Sequence, residues 1–203
     1  MAAELGLRQR KKQETRKAIY EAARRLFASR GFDRTTVAEV AREANVSEVT
    51  VFNYFPTKED LFYAGMHFFE EELLDAVRRR KPGESALRAF RRRLLDSIEG
   101  LRSKERFAAI RSAAEAYAAS PSLAARERQI VDSYTSELAG VLAGGSEPDV
   151  EAVAVATALM GAHRAVVDYV RRRVQAGARG DALADDARTQ IRRAFGRLER
   201  GLD

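Results

Sequence analysis

The 203-residue sequence predicts an all-α fold, on three observations. Apolar residues recur at helical spacing through most of the chain. Residues that start and stop helices punctuate those stretches at intervals. No stretch alternates apolar and polar residues as a half-buried strand does, and no internal repeat stands out. Only 4 prolines interrupt the chain, tryptophan is absent, and there is no long polar tract. A chain of this length buries a substantial core and suits one or two domains.

From the N-terminus, the basic run RQRKK at 8–12 reads as a mobile tail placed to touch phosphate or enter a minor groove. The first helix is predicted from about Gln13 to Arg30, with an apolar stripe of Ile19, Ala22, Ala23, Leu26 and Phe27 and a stop at Gly31. Phe32 is expected to close the small core beneath the first three helices. Thr36 and Glu39 then have the spacing of a capping box, in which a hydroxyl caps one backbone N–H and a carboxylate reaches back to another. Val37, Val40, Ala41 and Ala44 follow at helical spacing, and Asn45 suits the left-handed conformation that ends a helix. Ser47 is a fresh N-cap, and Glu48–Tyr54 form a second short helix with Val51 inward and Phe55 just beyond. Pro56 stops it. Thr57 and Asp60 repeat a capping pattern for a longer helix to roughly Arg80, carrying Leu61, Phe62, Met66, Phe69, Leu73 and Leu74. Two short helices joined by so tight a turn make a helix-turn-helix, whose second helix is built to enter a DNA major groove.

Lys81-Pro82-Gly83 breaks the chain, and further helices are expected over 84–101, 104–119, 122–143, 148–177 and 182–202. Between Ala152 and Val170 the helix is apolar on nearly every side, so it needs cover on both. One stripe is Val155, Leu159, Ala162, Val166 and Val170; the final helix adds Ile191, Ala194, Phe195, Leu198 and Leu202, with arginines opposite. The expectation is a homodimer joined by these two helices as a four-helix arrangement, with Val155, Leu159, Ala162, Val166, Val170, Ile191, Phe195 and Leu198 at the interface.

Charge points the same way as the motif. The net charge is +6, and residues 1–58 hold 12 Lys+Arg against 7 Asp+Glu, leaving 24 against 23 in the rest. The excess sits with the helix-turn-helix, as a polyanion-binding module requires. With no cysteine, disulfides, thiolate chemistry and cysteine-held metals are excluded, and no cofactor is expected. No apolar run reads as a membrane span and the N-terminus lacks a signal peptide's apolar region, so no membrane partner and a cytoplasmic location are expected. A helical enzyme is the rival class. The two histidines, His67 and His163, lie on different helices, and no glycine loop follows a strand.

The segment from Thr15 to about Phe62 resembles the TetR/AcrR family of transcriptional regulators. The matching elements are AARRLFASRGFDRTTVAEVA closing the first helix, the turn and helix ANVSEVTVFNYF, and PTKEDLF. The remainder agrees in architecture alone. The resemblance implies a DNA-binding domain over 1–56 and a helical ligand-binding and dimerisation domain over 57–203. It further implies a dimeric, usually repressing factor that a small molecule loosens from palindromic operator DNA. Asn45 stands where the family often has Gly, and Glu48-Val49 where many members place Lys, Gln or small residues.

Ser47, Glu48, Val49, Thr50, Phe52, Asn53 and Tyr54 lie in or at the start of the recognition helix. With Val51 and Phe55 inward, Glu48, Val49, Phe52 and Asn53 are left to meet base edges. A carboxylate accepts from a cytosine amino group, an apolar side chain meets a thymine methyl, and Asn pairs with adenine or with phosphate. The competing readings are that Glu48 offsets the helix dipole and that Phe52 packs against the first helix. Thr36, Thr50, Tyr54 and Lys58 suit phosphate contacts, and the resemblance supports Thr36, Tyr54 and Lys58 in that role. For the effector, expected to be small and apolar or amphipathic, the candidate lining is Leu94, Phe107, Ile110, Ala114, Tyr117, Tyr134, Leu138, Met160, His163 and Val167. The same residues suit an ordinary core. His163 reads as a ligand contact, a pH-sensitive group or a satisfied core histidine, while Arg164 and Asp168 are spaced to pair.

Overall fold

The structure is a computed structural model and describes residues 6–201; Leu202 lies outside them. Its elements in chain order are α1 (Leu7–Arg30), α2 (Val37–Glu43), α3 (Glu48–Tyr54), α4 (Lys58–Arg78), α5 (Ala86–Ile98), a 3-10 turn (Glu99–Arg102), α6 (Lys104–Ala119), α7 (Pro121–Leu142), α8 (Val150–Gln175) and α9 (Gly180–Glu199). There is no strand among the described residues. The chain divides into two compact units, Met1–His67 and Phe68–Asp203, and the division falls inside α4. Pro56 separates two helices, but packing carries the N-terminal unit further, because Leu61, Tyr63 and Ala64 of α4 are buried in it.

In the N-terminal unit, Ile19, Ala22, Ala23 and Phe27 of α1 are buried with Phe32, Val40, Ala41, Val51 and Phe55. The rings of Phe27, Phe32 and Phe62 meet in a triangle with centroids 5.4–5.9 Å apart. Local chemistry sets each boundary. Thr36 Oγ1 accepts from the Glu39 N–H at 3.2 Å and Glu39 Oε2 accepts from the Thr36 N–H at 2.9 Å, which completes the capping box. Asn45 has φ 55°, and that left-handed step lets the Val46 N–H reach the Ala41 carbonyl at 2.9 Å. Asp60 does for α4 what Glu39 does for α2, accepting from the N–H and hydroxyl of Thr57 at 3.0 and 2.8 Å.

The first helix is longer than the sequence suggests. It begins at Leu7, not Gln13, so RQRKK at 8–12 is a helical extension and not a mobile tail. The stretch from Leu7 to Ala18 holds no Gly or Pro and a single β-branched residue, Thr15. Such residues continue a helix outward until Gly6 ends it. Arg10, Lys11, Lys12, Arg16 and Lys17 are all exposed on it.

The C-terminal unit is a helical bundle. Its core holds Phe90, Leu94, Leu123, Leu138, Leu159, Met160, Leu183, Ile191 and Phe195, and Phe90 stacks on Phe195 at 5.9 Å. Arg102 on the 3-10 turn reaches Asp181 and Asp185 at the start of α9, at 2.5 and 2.6 Å. Helix α8 is long and apolar enough to cross a membrane by length and composition, which corrects the sequence reading on that point. Here one side of it is buried within the unit, from Ala156 through Met160, Val166 and Val170 to Val174.

Candidate DNA-binding interface and a buried cluster in the C-terminal unit

Helix α3 has only seven residues, and one of them, Val51, is buried; Phe55, just past its end, is 3% exposed. Those two anchors turn the rest of the helix outward. Glu48, Val49, Phe52 and Asn53 are all exposed, Val49 by 69% and Phe52 by 45%. Phe52 thus presents nearly half of its surface on the outward side of α3. Ser47 Oγ accepts from the Thr50 N–H at 3.1 Å and lies 2.8 Å from Thr50 Oγ1. Whichever hydroxyl donates across that gap, the other keeps a proton for a phosphate oxygen. Thr50 and Tyr54 are half-buried along the flank of the helix. Glu48 also sits in the first turn of α3, where its charge suits the helix dipole, so the base-contact and dipole roles share one position.

Two phosphate candidates flank α3. Lys58 Nζ donates to the Asp33 carbonyl at 3.3 Å and lies 4.4 Å from the centre of the Phe32 ring. An ammonium has three donors, so one such bond leaves others for an anion. Thr36 is exposed, but its hydroxyl donates to Glu39 Oε2 at 3.0 Å, so a phosphate contact there requires that proton to swing away. The backbone N–H of Thr36, more than its hydroxyl, holds the Glu39 carboxyl below its ordinary range.

In the C-terminal unit, Leu94, Ala114, Tyr134, Leu138, Met160 and His163 are buried, while Phe107, Ile110, Tyr117 and Val167 are half-buried. His163 is not a satisfied core histidine. Its Nδ1 has no hydrogen-bond partner among the described residues and lies 3.6 Å from Glu70 Oε1. Glu70 is 1% exposed and neither of its carboxyl oxygens has a hydrogen-bond partner among the described residues. Burial, with a smaller push from Glu127, raises the Glu70 carboxyl to about 8. Burial lowers His163 to about 4, so the pair is neutral near pH 7. Next to it Arg171 forms a two-pronged pair with buried Glu127, one limb at 2.8 Å, and stacks 4.0 Å over the Tyr117 ring. Asp168 also faces Arg171, at 3.5 Å, where the sequence suggested Arg164. Glu70, Glu127 and Arg171 escaped the sequence reading. The visible signal was positional: Glu70 stands in the stripe Met66, Leu73, Val77, and Glu127 in the stripe Leu123, Ile130, Tyr134, Leu138.

The expected dimer stripe is turned the other way. Leu159, Val166, Val170, Ile191 and Phe195 are buried inside the unit, so they do not face a second copy; Ala162 and Leu198 are half-covered, and Val155 is at the margin, 37% exposed. The open face of α8 is the opposite one, with Val150, Val153, Ala154, Thr157, Ala158, Gly161 and Ala165. The longest apolar side chains, Leu159 and Met160, went inward, where they bury more apolar area per residue.

Residues 19–64 match the family profile described as bacterial regulatory proteins, tetR family. A transcriptional regulator of the helix-turn-helix type from Streptomyces glaucescens, TcmR, is 35% identical over 85 residues, covering 42% of this chain and 38% of that one. The LuxR regulator of Vibrio harveyi is 54% identical over 43 residues, 21% of each chain. This chain thus spans well under half the length of the curated relatives it matches. The crystal structure of a TetR transcriptional regulator from Rhodococcus sp. RHA1 aligns over 94% of this chain and 98% of that one, at 25% identity and a TM-score of 0.58.

Proposed function

Because the chain belongs to the tetR family of bacterial regulatory proteins, we propose that it is a sequence-specific DNA-binding repressor, a homodimer released from a palindromic operator by a small apolar or amphipathic effector. The observation that carries the reading is the outward face of α3. Two large apolar side chains, Val49 and Phe52, stand exposed between Glu48 and Asn53 on a helix pinned from below by Val51 and Phe55. That is a donor, an acceptor and two methyl-seeking surfaces presented on a rod of major-groove width. The rival reading as a helical enzyme falls with the family assignment.

The open face of α8 supports the dimer. Its alanines and Gly161 let a second helix approach closely, and beyond its own stretch of helix a Cβ added at Gly161 meets nothing within 4 Å among the described residues. Helix α4 supports the coupling, because it begins in one unit and ends in the other. An effector that shifts α4 changes the separation of the two recognition helices, which must match successive major grooves about 34–36 Å apart. A coupling free energy of about 1–3 kcal/mol suffices for a useful change in affinity. Selection of bound duplexes from random DNA with the purified chain tests the reading. A palindromic consensus supports it; recovery of unenriched sequence overturns it.

A further inference from the structure

Resting on the reading that the C-terminal unit takes a small effector, we infer that Glu70 and His163 form the polar end of its site and that the effector is an amphipathic amine, bound through its ammonium group. A buried carboxyl group whose oxygens have no hydrogen-bond partner among the described residues, facing a buried imidazole nitrogen that has none either, is a costly arrangement for a core to keep. At 3.6 Å the two atoms are neighbours but too far apart to share a hydrogen bond. Neither side chain satisfies the other, and once Glu70 ionises each lacks the same thing, a donor placed between them. An ammonium carries three donors and no acceptor, so one nitrogen serves both Glu70 and His163 Nδ1.

The surroundings favour a cation over a neutral donor. On α7 and α8, Glu127 and Arg171 cancel each other in a two-pronged pair, which leaves Glu70 on α4 as the uncompensated group. On α5, Arg93 lies 5.3 Å over the Phe69 ring and is paired with Glu72. The rings of Phe69 and Phe90 stand 5.5 and 6.3 Å from the His163 ring, and aromatic faces attract cations. They also give the apolar body of such a ligand a wall, continued by Leu94 on α5 and Met160 on α8. With Glu70 titrating near 8, its ionisation at pH 7 costs only about tenfold in affinity, which a charge-assisted hydrogen bond outweighs. A carboxylate ligand sets a second acid beside the buried Glu70, and an alcohol, meeting the neutral carboxyl, gains no charge-assisted hydrogen bond.

The test uses the full chain with 2-phenylethylamine, 2-phenylethanol and phenylacetate, titrated calorimetrically at pH 7 in buffers of different ionisation heat. The amine is expected to bind at least about tenfold tighter than the alcohol, phenylacetate weakest, with release of close to one proton as Glu70 ionises. In Glu70→Gln the amine's advantage is expected to vanish while the alcohol's affinity stays. Equal binding of amine and alcohol, binding of none of the three, or an amine preference that survives Glu70→Gln overturns the inference. The proton count on the unaltered protein decides independently of how the variant folds: proton release supports the site, and no release overturns it. Adding each probe to the protein bound to its selected duplex separates this inference from the effector reading. If the amine binds through Glu70 without loosening DNA, the site stands and the effector reading fails; if a non-basic molecule loosens DNA and the amine does not, the effector reading stands and this inference fails.

Discussion

Replacing Glu70 by glutamine keeps the shape of the side chain and removes one ionisation, so the change isolates what burying that carboxyl costs. An acid whose folded pKa, about 8, lies above its ordinary 4.5 binds more protons folded than unfolded between those values. Its contribution to stability is therefore lost as pH rises through that window. His163, a base lowered to about 4 from 6.5, works in the opposite sense and costs stability as pH falls from 6.5 toward 4. The two slopes offset each other between about 4.5 and 6.5, and Glu70 acts alone above that. At about 1.4 kcal/mol per pH unit in which the states differ by one proton, the carboxyl costs about 3 kcal/mol between pH 5 and pH 8. Glu70→Gln is thus expected to match the wild type near pH 5 and to exceed it by up to about 3 kcal/mol at pH 8. Urea unfolding of both proteins at a fixed protein concentration, from pH 5 to pH 8, measures the divergence. Parallel stability curves refute the reasoning, because they mean that Glu70 ionises as readily folded as unfolded.

Three further outcomes follow from the same structure. Lys58→Ala is expected to weaken binding to all duplexes alike and to flatten the salt dependence of affinity by about one unit; an altered base preference with an unchanged slope removes Lys58 from the phosphate contacts. Asn45 holds φ 55°, so Asn45→Val is expected to cost about 1–2 kcal/mol in thermal unfolding while Asn45→Gly costs nothing. Equal effects of the two substitutions contradict the strain argument. Gly161→Arg leaves the fold intact, because among the described residues no other part of the structure lies within 4 Å of a Cβ there, the glycine's own stretch of helix aside. It is expected to raise the dimer dissociation constant at least about a hundredfold by sedimentation analysis, a cost of about 3 kcal/mol. A variant that dimerises like the wild type moves the interface off this face of α8.

How much was legible beforehand depended on how local the deciding chemistry was. The edges of α2, α3 and α4 follow from residues three apart, Thr36 with Glu39, Ser47 with Thr50 and Thr57 with Asp60, so the sequence displays them. The start of α1 has no side-chain cap, and helix propensity alone carried it back to Leu7. For α8 the pattern announced that both faces are apolar but not which one the chain keeps for itself. That choice fell to side-chain size, with Leu159, Met160 and Val166 inward and Ala154, Ala158 and Gly161 outward. Glu70 occupies a visibly odd place in an apolar stripe. Its neighbour His163 comes from α8, far along the chain, so their meeting could not be read from spacing.

The account stands on the outward face of α3 reading bases. Phe52 is the side chain to remove, since its ring is 45% exposed on the outward face of α3. Sequence selection with wild type and Phe52→Ala at matched salt should return consensus sites that differ at one symmetric position per half-site, with the salt slope unchanged. Identical consensus sites from the two proteins would show that this helix does not do the reading.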